Sequence, residues 1–293
     1  MKIEALDAPL GAVITGLELA RPVADAPFAA IRAALDRHAV LVFRDQRALT
    51  PEAQIAFSRR FGPLQVHVQK SFHLAGHPEV LIVSNVFVEG KPIGLADAGQ
   101  YWHSDLSYVA RPSLGSLLHA QVVPPDAGDT LFADMRAAYD ALEPDLKDRL
   151  AGLEAEHSYL ARNIRQGQRS LHRPQLDAAA AASVPPVVHP VLRRHPGSGR
   201  PALFVSEGFT TRILGLAEAE SAALLARLHA HMTEPRFVYR HRWQPHDLVF
   251  WDNRSVIHFA TGCPPGQART LYRTTIEGDV PAAAFPPAET RVA

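Results

Sequence analysis

The sequence predicts a mainly β protein, an antiparallel sandwich or jelly roll with helices packed outside. Many short runs have β-type composition, and helices rarely separate one run from the next, which disfavours a parallel sheet built from crossover units. The C-terminal third holds four such runs, at 235–243, 247–252, 255–259 and 269–277. No internal boundary divides the chain, so we expect one domain over residues 1–293.

The first half of the chain contains two helix signals and several strand signals. Asp25 and Pro27 predict a helix through Arg37, and Thr50-Pro51-Glu52 predicts a second helix that ends at Gly62. The β-type runs here are 39–44, 80–86, 101–108 and 114–123, with a polar, Gly-containing loop at 87–100.

The second half adds helices, a hairpin and an irregular segment. Asp134 is expected to cap helical structure to about residue 152, and Glu218–Met232 has the period of an amphipathic helix. The turn HPGSGR between 188–194 and 202–205 predicts a hairpin. Residues 160–186 are Arg-rich and then Ala-rich without a clean period, so we expect a lid or an insertion there.

Composition excludes several classes of protein. Lys+Arg and Asp+Glu both number 30, so the formal net charge is zero, which disfavours non-specific nucleic-acid binding and a polybasic membrane surface. No run of 18 apolar residues predicts a membrane span, and the N-terminus lacks the apolar core of a signal peptide. Cys263 is the only cysteine, so a reducing compartment and a cytoplasmic location are expected.

The stretch YWHSDLSY at 101–108 raises the question of a metal site. If it is a strand, His103 and Asp105 share one face and lie about 6–7 Å apart along it. An imidazole and a carboxylate suit Fe(II), Zn or Mn. With 15 histidines and 30 acidic residues in the chain, chance pairs are expected, so a third ligand is needed.

His258 is the best candidate for that ligand because it follows an apolar strand and the polar turn Asp252-Asn253-Arg254. Two histidines and a carboxylate on one side of a metal form the facial triad of non-haem Fe(II) oxygenases. Taken alone, His258 favours the interpretation as a core histidine that is hydrogen-bonded to the backbone. His119 competes for the role, but its apolar surroundings favour packing.

Two arginines follow His258 on a β-type run. Arg269 and Arg273 are four residues apart, so a strand would place them on one face, about 13 Å apart. Buried arginines are costly unless each meets an anion, and their planar fork matches a carboxylate or a sulfonate. The alternative is a pair of surface arginines on an edge strand.

Four ordered motifs resemble a known family. WHSD, the GDT at 128–130, WDNRSVIH and ARTLYRTTIEGD resemble the taurine dioxygenase and 2,4-dichlorophenoxyacetate dioxygenase family of Fe(II)/2-oxoglutarate enzymes. The resemblance covers nearly the whole chain. It implies a double-stranded β-helix (jelly roll) with outer helices, and a reaction that uses Fe(II), 2-oxoglutarate and O2 and releases succinate and CO2. A homo-oligomer is also compatible with it.

The resemblance also implies roles for individual residues. Iron would be bound by His103, Asp105 and His258, the distal carboxylate of 2-oxoglutarate by Thr130 and Arg269, and the substrate by His67, Phe209 and Arg273. Two positions depart from the taurine branch, which has a tyrosine and an asparagine where this chain has Lys70 and Gly99. Both departures lie where taurine's amino end would be expected.

The expected substrate is therefore a small organic anion, a taurine-like alkyl sulfonate or a related sulfate, with an aryloxyalkanoate as the alternative. FADMRAAYDAL at 132–142 is similar to the phenoxyacetate branch. More remote alternatives are a Zn or Mn hydrolase that uses the same three ligands, and a jelly-roll binding protein without activity.

Overall fold

The computed structural model describes residues 1–95, 98–162 and 181–285. Residues 163–180, which form most of the predicted lid or insertion, lie outside the described residues. No helix in the described part of the chain is both long enough and apolar enough to cross a membrane.

The helices are α1 (Asp25–His38), α2 (Pro51–Arg59), α3 (Met135–Asp140), α4 (Pro144–Leu150) and α5 (Glu218–Met232). Thr50 caps α2, where its hydroxyl oxygen accepts a hydrogen bond from the Ala53 N–H at 3.2 Å. The predicted helix over 134–152 is two short helices instead. Pro144 begins the second one, and proline holds the preceding Glu143 in an extended conformation.

The strands of the first half are β1 (Lys2–Ala5), β2 (Ala12–Thr15), β3 (Val40–Phe43), β4 (Leu64–Gln65), β5 (His73–Leu74), β6 (His77–Ser84), β7 (Phe87–Val88), β8 (Lys91–Pro92), β9 (Ser113–Val122) and β10 (Thr130–Asp134). Those of the second half are β11 (Glu154–His157), β12 (Val187–Pro190), β13 (Leu192–Arg194), β14 (Pro201–Leu203), β15 (Thr210–Ile213), β16 (Val238–His241), β17 (Leu248–Asp252), β18 (Val256–Ala260) and β19 (Thr270–Glu277). The protein is mainly β with few helices, as predicted.

Two sheets frame the interior. The large sheet has the order β1-β2-β3-β17-β9-β19-β6-β5, with β4 paired to β19, and a smaller sheet has the order β16-β10-β18. Pairing is antiparallel except between β2 and β3. Further small sheets join β12, β11 and β15, then β13 and β14, then β7 and β8.

Side-chain alternation divides the core into layers. On β3, Val40 and Val42 face a cluster that also holds Phe132 of the small sheet, so this cluster fills the space between the two sheets. Leu41 and Phe43 face the other way, into a cluster with side chains of α1 and α2. A third cluster packs α3, α4 and α5 against the outer face of the small sheet. Helices therefore cover both outer faces.

Two local predictions have opposite outcomes. The hairpin around HPGSGR is confirmed as β13 and β14. The strand predicted over 101–108 is wrong, because only His103 pairs there, through an isolated bridge to His258, and a turn follows. Leu106 in that turn has a φ of 56°, a left-handed backbone conformation that no strand contains.

Candidate metal centre

His258 reaches the space between the sheets by strand alternation. It lies two residues after Val256 on β18, and Val256 belongs to the cluster that fills that space. The backbone bridge then brings His103 alongside: the N–H of each histidine donates to the carbonyl of the other, at 3.1 and 2.8 Å. The His103–Asp105 segment is thus fixed to the strand that carries the third predicted ligand.

His103, Asp105 and His258 converge on one point. Their potential ligand atoms all lie within 4.8 Å of one another, and all three residues are buried. The Asp105 carboxylate is 3.7 Å from His103 Nε2 and 3.8 Å from His258 Nε2. These separations are too long for hydrogen bonds, but one ion could contact all three side chains.

A hydrogen bond orients the first of the two histidines toward this point. His103 Nδ1 donates to the Tyr101 carbonyl oxygen at 2.8 Å, which leaves Nε2 as the nitrogen that could bind a metal. Burial, and then the proximity of His103, hold the pKa of His258 well below its ordinary value. A neutral imidazole is the form that binds a metal.

The Asp105 carboxylate is held in its ionised form. Burial alone would raise its pKa, but Arg273 and the two histidines outweigh burial and hold this pKa well below its ordinary value. Arg273 donates to Oδ1 at 3.1 Å, and the Ser116 hydroxyl donates to Oδ2 at 2.7 Å. Two imidazoles and one carboxylate thus form a donor set that suits Fe(II) or Mn(II).

Asn253, in the turn after β17, positions this carboxylate. Its side-chain oxygen accepts from the Asp105 N–H at 3.1 Å, and its amide nitrogen donates to Ser113 at 3.1 Å and more weakly to Ser116 at 3.4 Å. Its backbone carbonyl accepts from the Ser104 hydroxyl at 2.9 Å. Sequence reasoning treated Asn253 as a turn residue and missed Ser116, since a serine inside an apolar strand gives no signal of its own.

The two histidines of the triad line a small cavity together with other residues predicted for the site. The cavity is lined by Val83, Ala98, Gly99, His103, Leu118, Thr130, Trp251, His258, Ala260, Arg269 and Arg273. Thr130, Arg269 and Arg273 are therefore brought to the triad, although 27 residues separate Thr130 from His103 in the chain.

Arg269 and Thr130 line the cavity together, and their side chains could form a cradle for an anion. Burial lowers the pKa of Arg269 to about 10, so the guanidinium is still protonated at neutral pH. Its Nε donates to the Gly128 carbonyl at 3.0 Å, and no carboxylate in the described part of the chain forms an ion pair with it. The Trp243 Nε1–H donates to the Thr130 hydroxyl oxygen at 3.1 Å, which leaves the hydroxyl proton available to a ligand.

Gly128 of the GDT motif is required by this cradle. It has a φ of 77°, and a Cβ there would lie 2.8 Å from both Arg269 Cδ and Cys263 Sγ. A larger residue would therefore displace the Arg269 side chain. The motif thus needs glycine at its first position for a steric reason, and the hydroxyl at its third position could donate to a ligand.

The other predicted substrate residues differ in their placement. Phe209 packs its ring against that of His103, with centroids 6.0 Å apart and an interplanar angle of 76°. His67 is half-buried and is not among the described residues that line the cavity, and its Nδ1 accepts a hydrogen bond from the Gln69 N–H at 3.1 Å. Its predicted contact with substrate stays a prediction.

A second cluster of potential ligands serves the fold instead. Asp36, His195 and Asp252 are also close together, but His195 lies 2.8 Å from Asp252 and donates to it. The other nitrogen of His195 accepts from a backbone N–H, and Arg254 donates to both oxygens of Asp252. No histidine lone pair remains there for a metal.

His119 packs on β9 as expected, and burial lowers its pKa to about 4.

Comparison with known proteins gives the family. The family described as "Taurine catabolism dioxygenase TauD, TfdA family" matches residues 2–275. The chain belongs to this family. The enzyme is therefore a member of a group of 2-oxoglutarate-dependent dioxygenases, as the four motifs indicated.

Individual relatives agree with this assignment. The enzyme is 42% identical over 256 residues to an alpha-ketoglutarate-dependent 2,4-dichlorophenoxyacetate dioxygenase of Cupriavidus pinatubonensis, covering 84% of this chain and 86% of that one. It is 32% identical to an alpha-ketoglutarate-dependent sulfate ester dioxygenase of Pseudomonas putida, covering 93% and 88%. The crystal structure of AAD-2 in complex with Mn(II) and N-oxalylglycine is 34% identical, with a TM-score of 0.82 and coverage of 96% and 99%.

Ser116→Ala should weaken metal binding without unfolding the protein. Loss of the hydroxyl removes the hydrogen bond that orients Asp105 Oδ2, and changes to such supporting groups typically cost about 10- to 100-fold in metal affinity. The measurement is a calorimetric titration with Mn(II), alongside urea unfolding.

Ser221→Ala is the matched control, since Ser221 is also buried and accepts from the Ile213 N–H at 2.8 Å, outside the cavity lining. Equal Mn(II) affinity of Ser116→Ala and wild type would show that Ser116 does not orient the ligand.

Proposed function

We propose that the protein is an Fe(II)- and 2-oxoglutarate-dependent dioxygenase that hydroxylates a small organic anion. The observation that carries this proposal is one cavity with two halves: a triad of His103, Asp105 and His258, and beside it the buried Arg269 cation without a carboxylate partner in the described part of the chain. A hydrolase that used the same triad would have no need of Arg269 and Thr130.

Each group has a defined task in this proposal. His103, Asp105 and His258 would hold the iron, and Thr130 and Arg269 would hold the distal carboxylate of 2-oxoglutarate. Bound iron and 2-oxoglutarate together supply the oxidation, in which O2 is consumed, succinate and CO2 are released, and one oxygen atom enters a C–H bond of the substrate. The protein fixes the positions of the reactants and excludes water from a buried site.

Two structural expectations belong to the same proposal. The facing large and small sheets would form the double-stranded β-helix of this family, and residues 1–293 would form a single domain. Phe209 would line the substrate side next to His103. Arg273 would bind the substrate as well, because its buried Nε has no hydrogen-bond partner among the described residues and could donate to a ligand.

For the substrate, we propose an aryloxyalkanoate in preference to taurine. Taurine carries an ammonium group that needs an acceptor, but Lys70 is itself a cation and Gly99 has no side chain. A Cβ at Gly99 would lie 3.0 Å from His103 Cε1, so this position also sets how much space is left beside the ligand. Aromatic rings, by contrast, pack on His103: Tyr101 at 4.6 Å and Phe209 at 6.0 Å between centroids.

The relatives support the same choice. A 2,4-dichlorophenoxyacetate dioxygenase is 42% identical to this chain, and a sulfate ester dioxygenase is 32% identical. An alkyl sulfate or sulfonate is therefore the second candidate. Both classes share an anionic group and a C–H bond next to a heteroatom, where hydroxylation gives an unstable product that fragments.

Succinate formation with Fe(II), 2-oxoglutarate and O2 tests this function. We expect 2,4-dichlorophenoxyacetate to stimulate succinate formation more than hexyl sulfate or taurine, and we expect His258→Ala to abolish it for all three. If taurine or hexyl sulfate stimulates most, the substrate class is wrong. If His258→Ala keeps wild-type activity, the assignment of the metal ligand is wrong.

Arg269→Met should raise the KM for 2-oxoglutarate. The substitution removes the charge but keeps much of the volume, and a lost hydrogen-bonded charge pair corresponds to a rise of about 10- to 100-fold. Arg240→Met is the control: Arg240 pairs with Asp129 of the same GDT motif, but its side chain is 56% exposed. An unchanged KM in Arg269→Met would remove Arg269 as the anchor of 2-oxoglutarate.

A further inference from the structure

We infer that Trp243 is a positioning residue that makes the cradle of Thr130 and Arg269 selective for a co-substrate ending in a carboxylate. The inference rests on the function proposed above. Trp243 lies two residues after β16 and is 5% exposed. It acts through the two cradle residues and needs no contact of its own with the ligand.

The pairing of β10 with β16 brings Trp243 to Thr130. Thr130 lies opposite His241 in the antiparallel register, and the chain continues from His241 to Trp243. The rings of His241 and Trp243 meet edge-on, with centroids 4.6 Å apart and an interplanar angle of 88°. Trp243 also belongs to the apolar cluster between the two sheets, so packing holds the indole in one orientation before any ligand binds.

The hydrogen bond between Trp243 and Thr130 has only one possible direction. The indole Nε1–H can donate but cannot accept, so Thr130 Oγ1 is the acceptor, at 3.1 Å. The single proton of the Thr130 hydroxyl must then point elsewhere. A hydroxyl that accepts a hydrogen bond is also polarised, which makes it a stronger donor. Thr130 lines the cavity, so a ligand there meets it as a strengthened donor.

The ring of Trp243 faces the other half of the cradle. The guanidinium carbon of Arg269 is 5.8 Å from the centroid of this ring, within the range of a cation–π interaction. Arg269 is held at Nε by the Gly128 carbonyl oxygen, at 3.0 Å. One buried indole therefore contacts both residues proposed to bind the distal carboxylate, Thr130 through its N–H and Arg269 through its ring.

A cradle arranged in this way presents hydrogen-bond donors to the ligand. A guanidinium can only donate, and the indole directs Thr130 to donate as well. A carboxylate matches such a site because both of its oxygens accept. A terminal carboxamide would bring its own N–H groups against these donors, and such a mismatch is disfavoured. Trp243 thereby favours 2-oxo acids that end in a carboxylate over those that end in an amide.

Calorimetric titration of the Mn(II)-loaded protein with two matched probes tests the inference. N-oxalylglycine ends in a carboxylate, and N-oxalylglycinamide has the same chelating end but a terminal amide. We expect Trp243→Phe to weaken N-oxalylglycine binding about 10-fold, because the variant keeps a ring over Arg269 and loses the N–H. Binding of the amide and affinity for Mn(II) should stay as in wild type.

A double-mutant cycle shows whether Trp243 acts through Thr130. Thr130→Val removes the acceptor, so adding Trp243→Phe to it should change the affinity for N-oxalylglycine less than about 2-fold. Thr130→Ser keeps the hydroxyl, and in that background Trp243→Phe should have its full effect.

The indole N–H of the unchanged Trp243 provides a second measurement. The chain has three tryptophans, so protein labelled with 15N-tryptophan and loaded with Zn(II) has three indole resonances. The resonance that Thr130→Val displaces belongs to Trp243. We expect it to shift when N-oxalylglycine is added, and to shift less with the amide. The same position with and without N-oxalylglycine would contradict the inference.

Tyr239→Phe is the matched control. Tyr239 lies on β16, and its hydroxyl is hydrogen-bonded to His241 at 3.0 Å, outside the cavity lining. The substitution removes one hydrogen bond from an aromatic side chain of the same strand without touching Thr130. It should bind both probes as wild type does.

Three calorimetric results would overturn the inference. Wild-type affinity of Trp243→Phe for N-oxalylglycine would show that the N–H does not orient the cradle. Additive losses in the double-mutant cycle would show that Trp243 does not act through Thr130. Equal losses for the two probes would show that it only shapes the cavity. If wild type binds Mn(II) but not N-oxalylglycine, the proposed function itself fails, and this inference with it.

Discussion

The ionised carboxylate of Asp105, buried between two histidines, is the interaction on which the rest of the site depends. A buried carboxylate is unfavourable unless charges and hydrogen bonds compensate it. Arg273 supplies a positive charge and a hydrogen bond to Oδ1 of Asp105, and Ser116 supplies a hydrogen bond to Oδ2. Asn253 fixes the Asp105 backbone through its N–H. Because these partners belong to the large sheet and to the turn after β17, the ligand geometry is as rigid as the fold itself.

The layered fold explains why residues so distant in sequence meet. Strands β10, β18 and β19 each alternate between the inner space and a helical layer, so Thr130, His258 and Arg273 point inward together with apolar neighbours. The two histidines of the triad and the proposed cradle of 2-oxoglutarate thus line one cavity. An oxidation that must exclude water benefits from this arrangement, since few charges inside it are left without a partner once both anions are bound.

The sequence was sufficient for the triad and for the cradle, but for different reasons. Order and spacing of four motifs pointed to His103, Asp105, His258, Thr130 and Arg269, and the geometry brings them together. The strand predicted at 101–108 was wrong, because the local β-type composition is overridden by the Asn253 side chain, a contact across 148 residues. Such long-range contacts have no local signature.

The most direct test of the central claim is a crystal structure with Mn(II) and N-oxalylglycine, with the metal located by anomalous scattering. The account predicts one strong peak, about 2.0–2.2 Å from the nearest His103, Asp105 and His258 atoms. It also predicts that the distal carboxylate of N-oxalylglycine contacts Thr130 and Arg269. A peak at Asp36, His195 and Asp252, or a distal carboxylate bound only by Arg273, would contradict it.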